Sequence, residues 1–221
     1  MTLYADSKYP VRADLDAIHA KQLDQLVAPG TWGSGAQRLA IAEETRQACY
    51  DAGIQENPAG QERQSDVKLP EAARKVVQKL AVSPKDFLED SYDEAKKGGL
   101  SDEEYVEIVG IVSRLTGMDV FARGIGVDLR PVPSPIEGEP SRERPSDAKQ
   151  EMAWVPTLPV FPEGGALAAE LYGEKHASYI IRGLSLIPDE TRMHLELENI
   201  QYLPLQHIMV KDYQHHEGFT R

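Results

Sequence analysis

Residues 106–126 read VEIVGIVSRLTGMDVFARGIG, and the reading of this stretch decides the fold. With Tyr105, apolar side chains at 106, 108, 109, 111, 112, 115 and 118 cover most of a helical circumference, which predicts a central helix rather than a surface one. Just upstream, Ser101 is placed to cap and Glu104 falls at the third helical position, a capping-box pattern. The helix carries one carboxylate near its start, Glu107, and another, Asp119, twelve residues later. Twelve residues of ideal helix separate two groups by about 18 Å. The pair can therefore meet only if the helix stops near Gly117, or across a subunit boundary.

The same three-and-four periodicity extends toward the N-terminus. Residues 11–28 place Leu15, Ile18, His19, Leu23, Leu26 and Val27 on one face, and Pro29-Gly30 end that helix. In GTWGSGAQRLAIAEETRQACYDAG, Ser34 and Gln37 form a second capping-box pattern, and Gly53 is a plausible stop. Residues 54–68 are polar and read as an exposed loop, after which Pro70 opens another helix. Ser83-Pro84 are expected to start a further helix that runs to Gly98-Gly99. The texture changes after Gly126. Residues 131–162 hold eight of the 15 prolines and read as an extended arm whose Trp154, Val155, Leu158, Val160 and Phe161 lie over a surface. Helical periodicity returns from 164 onward, and no stretch sustains strand alternation. The expected fold is all-α, divided into 1–130, an arm at 131–163, and a second unit at 164–221. A short echo between LAVSPKDF (80–87) and LSLIPDET (184–191) is compatible with two related units.

Thirty-six acidic against 24 basic residues give a net charge of −12, with no basic cluster, so neither nucleic acid nor an anionic membrane is an expected partner. The apolar runs fall far short of the roughly 20 residues of a membrane span. The N-terminus lacks a secretory pattern, and a cytoplasmic location is expected. A single cysteine, Cys49, leaves no intramolecular disulfide and no two-cysteine redox centre within one chain.

GAQRLAIAEETRQA (35–48), GLSDEEYVEIVGIVSRLTGMDVFARGIG (99–126), PIEGEPSRERP (135–145) and YIIRGLSLIPDE (179–190) together resemble the alkylhydroperoxidase-related (AhpD-like) branch of the carboxymuconolactone decarboxylase superfamily. That resemblance implies an all-helical fold and assembly into homo-oligomers. It also implies a core-helix glutamate followed by a CxxC pair and a histidine, in which the cysteines reduce peroxide while Glu and His relay protons. Glu107 matches the glutamate. Asp119 falls at the first cysteine, Ala122 at the second and Gly126 at the histidine, so neither a thiolate nor a resolving thiol is supplied. Tandem members can carry a further cysteine pair, which here falls on Asp51 and Ile54, two positions past Cys49. Phe219-Thr220-Arg221 resemble the cap of another core helix, so a shortened chain is expected.

Each candidate has two readings. Glu107 is either an exposed first-turn carboxylate favoured by the helix dipole or a buried acid/base group of raised pKa. Asp119 is either a catalytic partner or a cap for the next turn. Cys49 reads as a small buried hydrophobe. His215 and His216, with Asp212 and Glu217, point to different helix faces, and His194 and Glu196 have strand spacing rather than helix spacing. The glycines of GTWGSG read as a turn beside Trp32, and GIGVDL is too short for a dinucleotide fingerprint. No metal and no cofactor is expected. The functions this leaves are a binding or structural member of the family, a cofactor-free acid/base enzyme of the decarboxylase type using Glu107 and Asp119, and residual thiol peroxidase activity through Cys49. A homo-oligomer is expected, with the arm around 154–161 across the contact.

Overall fold

A computed structural model describes residues 2–58, 63–174 and 177–202. Its helices are α1 (Ala13–Leu26), α2 (Gly35–Asp51), α3 (Glu71–Val82), α4 (Glu89–Lys97), α5 (Asp102–Gly124), α6 (Gly165–Tyr172), α7 (Tyr179–Arg182) and α8 (Pro188–Gln201). Among the described residues the only β pairing is an isolated bridge between Lys149 and Thr157. The all-α expectation holds.

Both capping boxes form. Ser34 Oγ accepts from the Gln37 N–H while the Gln37 side chain accepts from the Ser34 N–H, and Ser101 and Glu104 do the same at the start of α5. Helix α5 lies at the centre and packs against α1, α2, α3 and α8. Ile111 and Leu115 on it are completely buried. One hydrophobic cluster runs from Leu23 and Leu26 on α1 through α2, α3 and α5 to Val132, Val155, Leu184, Leu186 and Ile187. Leu158, Ala168 and Leu171 form a smaller one.

Two expectations change in three dimensions, and one open condition is settled. The helix expected from Ser83 to Gly98 is broken: Pro84–Asp86 is a 3₁₀ turn, Phe87 is extended, and α4 begins only at Glu89. The break turns Phe87 into the core, where it packs against Tyr105 and Trp154, a burial that a continuous helix would have to forgo. Gly117 does not end α5, which continues to Gly124. The proline-rich segment does run across a surface, with the Ile136, Ser141 and Arg142 N–H groups donating to the Val27, Gly30 and Thr31 carbonyls. Yet Val132, Val155 and Leu158 sit in the interior, so the segment is part of the core as well as a cover for it.

Candidate functional site

Glu107, Gly110 and Arg114 stand at i, i+3 and i+7 of α5 and therefore share one stripe. Arg38 of α2 and Glu190 of α8 meet that stripe and complete a buried set of two guanidiniums and two carboxylates. Arg38 Nη1 donates to Glu107 Oε1 and, at 2.9 Å, to Glu190 Oε1. Arg114 Nη2 donates to Glu190 Oε2 at 2.6 Å, its Nη1 to Gln22 Oε1 at 2.8 Å, and its Nε to the Gly110 carbonyl at 3.1 Å. The second oxygen of Glu107 accepts from the Gly33 N–H at 2.6 Å. All four charged side chains are at most 3% exposed, so each charge depends on its partners rather than on water.

Two glycines make room for this arrangement. A Cβ on Gly110 would stand 2.1 Å from Glu190 Oε2, and one on Gly30 would stand 1.8 Å from Glu107 Oε1. The GTWGSG segment is thus a turn, closed by the Gly30 N–H donating to the Gly33 carbonyl at 2.9 Å, whose backbone also packs against the Glu107 carboxylate.

The electrostatics separate the two glutamates. Burial pushes Glu107 above its ordinary value; Arg38 opposes the shift and the neighbouring Glu190 adds to it. Burial acts on Glu190 in the same direction, but Arg114 and Arg38 outweigh it and hold the carboxyl below its ordinary value. The difference follows from the number of cations each carboxylate touches.

Asp119 belongs to a second buried pair. Arg46 of α2 grips it through Nε to Oδ2 at 2.9 Å and Nη2 to Oδ1 at 2.7 Å, and Nη2 also donates to the Arg130 carbonyl at 2.8 Å. Burial still raises the Asp119 carboxyl, against the pull of Arg46. The reading of Asp119 as a cap for the next turn is therefore corrected, because it lies inside a continuous helix and joins α5 to α2. The reading of Glu107 as an exposed first-turn carboxylate is likewise corrected: it lies in the second turn and is buried. With α5 unbroken between them, the two carboxylates do not come together within the chain. Neither lines the 1040, 480 or 70 Å³ cavity of the described residues.

Ala122, at the second cysteine position, is also buried, and Gly126, at the histidine position, takes a positive φ of 75° after the end of α5. Cys49 lies in the core as expected of a small hydrophobe. Its thiol is 3.7 Å from the Ala81 carbonyl, and burial pushes it up, away from the thiolate form. His194 and Glu196, expected to suit a strand, both lie on α8: Nε2 of the first stands 3.8 Å from Glu198, and the second accepts from Lys21. The pairs at 212–217 and the residues 219–221 lie outside the described residues. Among the described residues no group of three or more His, Cys, Asp or Glu could hold a metal ion. None of their helices is long and apolar enough to cross a membrane.

Sequence reasoning did not single out Arg38, Arg46, Arg114 and Glu190. A signal was available, since an arginine on a helix apolar nearly all round must be paired if the helix is central. Arg38 and Arg46 are eight residues apart, one face of α2, and meet the two carboxylates of α5.

Comparison with known protein families, with curated proteins and with solved structures returns no match for this chain.

Proposed function

We propose that the chain is an alkylhydroperoxidase-related, carboxymuconolactone decarboxylase-like helical protein that has exchanged thiol redox chemistry for structural ion pairs and acts by binding. One observation carries this reading. At the position where the resemblance puts the first cysteine, Asp119 has both oxygens engaged by the fork of Arg46, a bidentate contact that fixes two helices to each other. Glu107, at the position of the proton-relaying glutamate, also has both oxygens engaged, one by Arg38 and the other by the Gly33 N–H. An acid/base role for Glu107 would need a path to a substrate, and it lines none of the three cavities of the described residues. Buried among its partners, it is better suited to holding α2, α5 and α8 together.

The test is consumption of hydrogen peroxide or an alkyl hydroperoxide with a dithiol reductant. The expected rate is that of the reductant alone, unchanged by Cys49→Ser. A rate above that background, abolished by the substitution, would restore the peroxidase reading through Cys49. A homo-oligomer belongs to the same reading, and exposed Leu88, Val120 and Phe161 are large apolar side chains on the surface.

A further inference from the structure

Above Tyr105, Val109 and Ser113, which stand four residues apart along one face of α5, lies a groove of about 480 Å³. The arm closes one side with Trp154 and the α7–α8 segment closes the other with Leu184 and His194. That volume falls within the range of about 300–1,000 Å³ usual for small-molecule sites. In a chain that is 27% Asp, Glu, Lys and Arg, none of these four residue types is among the described residues that line it. A site for an anion would present a cation, and a site for a cation a carboxylate or a row of carbonyls.

Its aromatic wall is held in place. The Trp154 indole stacks on Tyr92 at 6.0 Å between ring centroids and 24° between planes, and lies 6.2 Å from Phe87. Tyr105 is fixed against the same two rings at 5.1 and 5.8 Å. A supported aromatic surface of this kind loses little freedom when a flat ring packs on it. The polar groups are few. Ser113 Oγ donates to the Gly110 carbonyl at 3.2 Å, which leaves its lone pairs to accept. His194 Nδ1 has no hydrogen-bond partner among the described residues, and burial lowers the imidazole, which favours its neutral form.

We propose that this groove binds an uncharged aromatic molecule bearing a hydroxyl, with its ring against Trp154 and Tyr105 and its hydroxyl donating to Ser113. The proposal rests on the reading of the chain as a binding member of its family and names the ligand class. Uncharged walls disfavour the carboxylate analogue of the same ring, which would have to leave water without a cation to meet it.

The test uses the full chain with Trp32→Phe, so that Trp154 is the sole fluorophore of its type, and titrates it with naphthol, naphthalene and naphthoate. Naphthol is expected to quench Trp154 saturably at one molecule per chain, and naphthoate to bind at least about tenfold more weakly. Ser113→Ala is expected to weaken naphthol by about threefold to tenfold and to leave naphthalene unchanged, as the loss of one hydrogen bond requires. Val109→Phe, which fills the groove floor, is expected to abolish both; the exposed Ser113 site keeps the test decisive if that variant does not fold. Unsaturable quenching, equal binding of naphthoate, or indifference of naphthol to Ser113→Ala would overturn the proposal. So would a dimer that Val109→Phe converts to monomer and naphthol does not disturb, which would make a second copy the occupant. The peroxide assay separates the two readings. Naphthol binding together with Cys49-dependent turnover would leave the site standing and remove the loss of thiol chemistry; neither binding nor turnover would do the reverse.

Discussion

Glu107 and Glu190 share Arg38, which lowers both, and yet their carboxyls shift in opposite directions because Glu190 also meets Arg114, which makes them a test of how buried charge is apportioned. Since burial raises Glu107 in the folded state, the stability it contributes is full below its ordinary value of 4.5 and declines as pH rises through the raised value. Glu190, held low by two guanidiniums, contributes stability above 4.5 that is lost as pH falls through the lowered value. Thermal unfolding over a pH series should show the advantage of wild type over Glu107→Gln shrinking from acid to neutral, and that over Glu190→Gln growing. The reverse trend in either variant would reassign which carboxylate the arginines favour. At neutral pH, Glu190→Ala leaves Arg114 buried without its carboxylate, while Glu107 still pairs with Arg38, and breaking a buried pair in this way costs about 3–5 kcal/mol. Gly30→Ala acts on the same cluster sterically. Its Cβ would displace a pinned carboxylate, an overpacking cost of about 1–3 kcal/mol that denaturant titration would detect as a lower midpoint with an unchanged slope.

Among the elements, α5 was the most legible. The Ser101 and Glu104 box marks its start, and its all-round apolar pattern marks it as central; both follow from local rules that tertiary contacts only reinforce. Ser101→Ala should therefore lower stability by about 1 kcal/mol without shifting the far-ultraviolet spectrum. A loss of helical signal at room temperature would mean that the cap nucleates α5 rather than only stabilising it. The segment after Ser83 was less legible for a physical reason. Pro84 followed by Asp86, Glu89 and Asp90 fits the start of one continuous helix by local rules, and what breaks that helix is the burial of Phe87 against Tyr105 and Trp154, which lie far away in sequence. The arm behaves likewise, since its prolines exclude regular structure but do not say that Val155 and Leu158 will be interior.

For the whole molecule, a helix apolar on nearly every side has to be covered, either by the chain itself or by a partner subunit. Much of that cover comes from within the chain, with α8 packed against both α1 and α5. A homo-oligomer, if formed, rests on the exposed apolar side chains rather than on an uncovered core. Light scattering at micromolar concentration is expected to give a mass above that of one 24.5 kDa chain, and a stable monomer would remove the oligomer from the proposed function. The sequence by itself determined the helical class, the two capped starts, the central place of α5 and the absence of a cysteine pair, because each depends on periodicity, neighbouring residues or composition. Only the tertiary structure decided that Glu107 and Asp119 are separate, and that each is bound by an arginine of α2. Partners such as Arg38 with Glu190, 152 residues apart, are selected by packing, and no local pattern records which buried charge will meet which.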